Sequence, residues 1–147
     1  MPEGEDLPAY LLLLGAAALG MGAVVILKAP RRDAPVVVGA AVLSAGVSSV
    51  VAGWSGPAFG AFVGALVIGL VAHLVSRLWR KPVWLVTAPG VLVLVPGSIG
   101  YRSLLNLMDR DVSTSIETGF QMFLTAAAIV FGLLISDVLG ARSRGAA

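Results

Sequence analysis

The residues best suited to chemistry stand inside an apolar run, where Pro96-Gly97-Ser98-Ile99-Gly100-Tyr101-Arg102 interrupts an otherwise helix-forming stretch. Proline removes a backbone donor and collides with the preceding turn, while glycine permits the dihedrals that a break requires. Fourteen residues lead from Val83 to Pro96, about 21 Å of helix, so the step falls inside a hydrocarbon core of roughly 30 Å. Polar backbone is not tolerated against lipid, and such a break must face protein or a water-filled cavity. Ser98 is placed to cap a new helix whose free amides and positive dipole end suit a carboxylate. Discontinuous membrane helices hold anionic groups in this way near the middle of the bilayer. Arg102, one turn on, adds a fixed positive charge. The alternative is a proline kink that only shapes the bundle, with Arg102 snorkelling to the interface.

Other polar side chains are sparse. His73 lies in an apolar run four residues before Arg77, where an imidazole either relays protons or sits as an interfacial histidine. Asp137 near one end of the last apolar run is a second candidate for proton coupling, and both it and Glu117 also fit as interface carboxylates. Thr87 and Thr125 lie deeper. A membrane threonine most often returns its hydroxyl to its own backbone, and a substrate-ligand role, for which Thr125 is the candidate, is the less common outcome. Enzymatic chemistry would need a nucleophile with a base, or clustered metal ligands. With one histidine, no cysteine and no paired carboxylates at helical spacing deep in a run, the chain is not expected to be an enzyme. No catalytic residue, metal site or cofactor is expected, and disulfides and thiolate sites are excluded.

The elements that must position these residues follow from composition. Of 147 residues, 58% are hydrophobic and 12% charged, with a mean hydropathy of +0.96, against roughly a quarter charged in soluble domains. A span needs about 20 apolar residues, so this length holds at most five. The expected fold is an all-α integral membrane protein, one membrane domain over 1–147. Its five transmembrane helices lie near 8–27, 35–52, 57–79, 83–108 and 115–139, the fourth kinked or broken at Pro96-Gly97. Pro89-Gly90 marks a second interruption of that fourth run. The opening Glu3, Glu5 and Asp6 are not the basic start of a cleavable signal, so the first run is read as a retained span. The second run, with Ser44, Ser48 and Ser49, is the least hydrophobic of the first three.

Charge decides whether that second run spans. With five spans, Lys28, Arg31, Arg32, Arg77, Arg80, Lys81, Arg142 and Arg144 share one side and only Arg102 and Arg110 lie opposite. With four, the cations divide evenly and give no orientation. Cytoplasmic loops collect Lys and Arg, so the expected topology is N-out, C-in in the cell (plasma or inner) membrane. The net charge of +2 sits in interhelical clusters, which reflects topology and excludes a nucleic-acid partner. Gly56, Gly60 and Gly64, and Ala41, Ala45 and Ser49, recur every four residues and offer close-packing faces between helices. Five short helices make a thin wall for a path, which favours a second subunit or copies of the same chain.

The stretch from Ser76-Arg77 and Lys81-Pro82 through Pro89, Leu94-Val95-Pro96-Gly97-Ser98-Ile99-Gly100-Tyr101, then Phe123-Leu124-Thr125-Ala126-Ala127-Ala128-Ile129 and Gly132, resembles the threonine/serine exporter family. It is similar to the C-terminal membrane half of that family, which also occurs as a separate small subunit of the YjjB type. The likeness covers the last 60 to 70 residues by motif and the first two spans only by hydropathy and length. It implies export of a small carboxylate-bearing metabolite, an amino acid such as threonine or serine or a dicarboxylate such as succinate, driven by the proton gradient. It also implies a second membrane half as partner. An odd span count places two such halves in opposite orientations, as inverted repeats require. Arg102 departs from the family pattern and is not carried over as a substrate residue by the likeness. A non-transporting subunit of a membrane complex, or a homo-oligomeric channel, fits the composition as well.

Overall fold

A computed structural model describes residues 9–26, 28, 30–95, 104–105, 108 and 112–145. Every described element is helical: α1 (Ala9–Ile26), a 3-10 turn (Arg31–Asp33), α2 (Ala34–Ser55), α3 (Pro57–Trp79), α4 (Trp84–Leu94) and α5 (Val112–Gly145). At about 1.5 Å per residue α2 and α3 are each about 33 Å long, enough to cross the hydrocarbon. Among the described residues three helical stretches are long and apolar enough to span, Arg31–Ser55, Pro57–Trp79 and Val112–Arg142, while Leu13–Ile26 and Trp84–Leu94 are shorter and apolar.

Proline and backbone sterics set the helix ends. Gly56 alone separates α2 from α3, at φ 91° and ψ 163°, a region essentially closed to residues with a Cβ. Pro57 then opens α3 at the position where its missing donor costs nothing. Here the expectation for Gly56 is corrected: it makes the turn and has no neighbour within 4 Å of where a Cβ would lie. Gly60 and Gly64 do pack as expected, a Cβ at Gly60 falling 2.6 Å from the Ser48 carbonyl oxygen and one at Gly64 3.2 Å from Ser48 Cβ. The α2 stripe Ala41, Ala45, Ser49 turns elsewhere: Ala41 packs on Gly20 of α1, and Ala45 and Ser49 line a cavity.

α4 runs unbroken through Pro89-Gly90, contrary to the interruption expected there. Pro89 is buried, the space over Gly90 is filled by Ile68 of α3, and Ser44 of α2 donates a hydrogen bond of 3.0 Å to the Gly90 carbonyl. Contacts from two neighbouring helices thus hold the turn that proline weakens. The helix stops at Leu94. Val95, at φ −59° and ψ 124°, has left the helical region, as the residue before a proline is pushed to do.

Contacts fix the directions of the helices. Gly20 meets Val38 and Ala41, Gly60 meets Ser48 and Ala52, and Leu94 meets Gly64 where Gly90 meets Ile68, so α1 to α4 alternate in direction. α3 and α5 instead run parallel. Ala65 faces Gly132, Gly69 faces Ser136 and His73 faces Gly140, each pair 67 residues apart. This is the most extensive helix pairing in the protein, and it rests on small residues that let backbones approach. At that offset Pro57 is level with Leu124, so roughly a dozen residues of α5, about 18 Å, extend past the α2–α3 turn. Lys81 of the α3–α4 turn pairs with the buried Asp33 of the α1–α2 turn, which puts both basic turns at one end of the bundle, with Arg142 of α5. Trp54 marks the opposite end and Trp79 and Trp84 the basic end, as interface belts require.

Candidate functional site

α4 ends in the wall of a cavity of about 410 Å³ to which all five helices contribute. Gly15 and Ala16 come from α1, Ser48 and Ser49 from α2, Ala61 from α3, Val93 to Val95 from α4 and Thr125 from α5. Leu94 is level with Ala61 and Gly64 of α3, about 6 to 10 Å inside the Pro57 end. The α4 carbonyls that lose their partners where the helix stops therefore lie within membrane depth, where only a polar surface or water can satisfy them. Thr125 is 4% exposed and donates a 2.8 Å hydrogen bond to the Gln121 carbonyl, which leaves its oxygen lone pairs free to accept. Ser48 and Ser49 add hydroxyls to the same wall, that of Ser49 bonded to the Gly46 carbonyl at 3.0 Å.

A second cavity, about 600 Å³, opens between α3, α4 and α5 toward the basic end. Its polar groups are Thr87, Ser136 and Asp137. Beside it His73 and Asp137 meet across the α3–α5 contact, Nε2 to Oδ1 3.5 Å, with the histidine side chain 13% exposed and the aspartate 67%. His73 Nδ1 lies 2.9 Å from the Gly69 carbonyl oxygen. A carbonyl only accepts, so Nδ1 donates its hydrogen there and Nε2 is the nitrogen that faces Asp137. Gly140 lies flat against the imidazole and Ser136 sits over Gly69, so α5 holds the ring in place.

Between the two cavities the bundle is closed by an apolar layer. Ala65 of α3, Leu94 of α4 and Ile129 of α5 are buried against one another, and Ile68 with Val86 and Ala40 forms the adjoining cluster. Ser44, 1% exposed, is the polar group in this layer, tied to the Gly90 carbonyl. The arrangement is a largely apolar recess with a few polar groups toward each end of the protein and a packed barrier between.

Of the residues expected to form the site, Thr125 lies in the first cavity and Asp137 in the second, with His73 against Asp137. Pro96, Gly97, Ser98, Gly100, Tyr101 and Arg102 lie outside the described residues, and the chain reaches them from Val95 in the first cavity's wall. Thr87 returns its hydroxyl to the Val83 carbonyl at 3.1 Å. The sequence reading gave no role to Ser44, Ser136 or the Asp33–Lys81 pair. Ser44 and Ser48 are four residues apart on α2, and that spacing was the available signal for an inward hydroxyl face.

Helices alternating in direction, long apolar spans and basic turns gathered at one end define a multi-pass membrane protein. The family profile described as "Threonine/Serine exporter, ThrE" matches residues 12–139, so the chain belongs to the threonine/serine exporter family. The match takes in α1 and α2 as well as the motif-bearing region. The chain is also similar to the Pheromone-regulated membrane protein 10 of Eremothecium gossypii, 31% identical over 113 residues, covering 61% of this chain and 15% of that protein. The chain thus spans well under a fifth of the length of that curated relative. No solved structure matches it.

Proposed function

We propose that this chain is one membrane half of a secondary transporter that exports a small amino acid such as threonine or serine, or a dicarboxylate such as succinate. The observation that carries the reading is the end of α4 at Val95 in the wall of the five-helix cavity. The carboxylate site is assigned to the residues that follow in sequence, Pro96 to Arg102, and to Thr125 in the cavity wall. Moving substrate past the layer of Ala65, Leu94 and Ile129 toward the other recess is the alternating step.

The whole chain forms a single membrane domain of five spans, N-out and C-in. Parallel α3 and α5 support this, because two parallel helices require the intervening chain to recross the bilayer. The shared end of the two basic turns supports the orientation. Proton coupling is assigned to His73 and Asp137, since a proton on Nε2 turns a contact between two acceptors into a charge-assisted hydrogen bond across the α3–α5 interface. The working unit includes a second membrane half. In support, α5 packs chiefly on α3 and leaves Phe120, Phe123, Phe131, Leu134 and Val138 exposed.

The test is efflux of labelled threonine, serine and succinate from cells that express the chain with a candidate first-half partner. Export of one of them that requires both chains is the expected result. Export by this chain alone in liposomes would replace the two-half unit with a homo-oligomer, and no efflux of any with both chains inserted would overturn the transport reading.

A further inference from the structure

At the basic end an apolar groove of about 250 Å³ runs between α2 and α3 on the outer face of the bundle. Pro35, Gly39 and Leu43 form one wall and Val71, Val75 and Trp79 the other. From Pro35 to Leu43, and equally from Trp79 back to Val71, is eight residues of antiparallel helix, about 12 Å. One leaflet's share of the hydrocarbon is about 15 Å. The groove therefore starts at the interface and runs down nearly the depth of a single leaflet. Buried Ala40 and Val86 form its floor, and Gly39 keeps the α2 wall open, with no neighbour within 4 Å of where a Cβ would lie.

The mouth of the groove is cationic. Arg31 and Arg32 stand one turn before Pro35, and Arg80 follows Trp79 directly. All three are exposed, and they make no ion pair among the described residues. The acidic residue of the α1–α2 turn does not offset them, because Asp33 is buried and already paired with Lys81. Lys81 also lies 5.3 Å from the Trp79 ring centre, which braces the rim on which the groove ends.

We infer that this groove binds one phospholipid with an anionic headgroup, an acyl chain lying between α2 and α3 and the phosphate at Arg31, Arg32 and Arg80. Charge complementarity selects the headgroup: both lipids offer a phosphate, but a zwitterionic lipid sets its own ammonium beside three exposed cations, whereas an anionic lipid brings them a net negative charge at the depth where the chain enters the groove. The site is separate from both cavities and does not depend on the transport reading.

Native mass spectrometry of the full chain released from mixed micelles of phosphatidylglycerol and phosphatidylcholine tests this. The wild-type protein should retain one phosphatidylglycerol in preference to phosphatidylcholine. Replacing both arginines (Arg31→Gln with Arg32→Gln) should weaken that preference roughly thirtyfold, the effect of removing two cations beside an anionic surface. Gly39→Leu should fill the groove and abolish retention of either lipid. Gly53→Leu, at another open glycine toward the opposite end of α2, should leave retention intact. Equal retention of the two lipids by wild type, or unchanged retention in Gly39→Leu with helical content preserved, would overturn the inference. Displacement by soluble glycerol 3-phosphate as effective as by the lipid would also overturn it, since a headgroup alone would then account for binding.

Discussion

Single side chains decide how the two recesses behave. Removing the Ser44 hydroxyl takes away a buried hydrogen bond to the Gly90 carbonyl, and such bonds between membrane helices average about 0.6 kcal/mol. Ser44→Ala should therefore lower stability by roughly that amount, measured by unfolding in mixed micelles, and leave the fold intact. For the proposed coupling pair the expectation is functional: Asp137→Asn removes the negative charge that faces His73 Nε2. Export should then lose its response to an imposed proton gradient while downhill substrate exchange continues. A variant that keeps the full response moves coupling elsewhere. For the proposed site at Pro96 to Arg102, Gly97→Val should abolish export in inserted protein, because a β-branched side chain resists the dihedrals that glycine permits. Ser98→Ala should weaken export less, since loss of the proposed cap costs about 1 kcal/mol and leaves the backbone donors in place.

At the scale of helices, the ends were more legible in the sequence than the interiors. Proline, glycine and charge punctuate the chain, and the expected 57–79 span coincides with α3 because Gly56-Pro57 and Arg80-Lys81 bound it on both sides. Pro89 misled for a physical reason. Local sterics alone call for an interruption, but the contact of Ile68 with Gly90 and the Ser44 hydrogen bond come from residues 22 and 46 positions away. Spacing of small residues revealed that faces pack and could not say which helix each face meets, so Ala41-Ala45-Ser49 was not assigned to α1 and the first cavity. The approach of His73 to Asp137 was likewise invisible, because it depends on a parallel pairing at an offset of 67 residues. The tight turn offers a clean test at this scale. Gly56→Ala puts a Cβ at φ 91°, and should cost about 1 to 3 kcal/mol in thermal or denaturant unfolding with α2 and α3 otherwise retained.

For the molecule as a whole, the absence of cysteine makes sidedness directly measurable. A cysteine introduced at Trp54, exposed beside the α2–α3 turn, and one introduced at Lys28, exposed in the α1–α2 turn, should react with a membrane-impermeant thiol reagent from opposite sides. Reaction of both from the same side would remove α2 as a span and with it the five-span arrangement. The basic cluster that suggested this topology in the sequence is held together in the fold by the Asp33–Lys81 pair, so the charge count and the packing describe one end of the protein.

The parallel pairing of α3 with α5 also carries a consequence for biogenesis. During synthesis α1 to α4 can close on one another through hairpins whose partners emerge in quick succession, such as Ser48 and Gly60. α3 must wait for another 67 residues before Gly132 arrives to cover Ala65, and contacts of such long separation form late. α5 is then added to a preassembled platform of α1 to α4. Gly132→Leu places side-chain atoms where the Phe62 carbonyl oxygen stands, 2.6 Å from the Cβ position, and the backbone cannot yield. Hydrogen exchange should show α5 amides losing protection in this variant while those of α2 and α3 keep theirs. Uniform loss across all helices would mean that the five assemble as one cooperative unit.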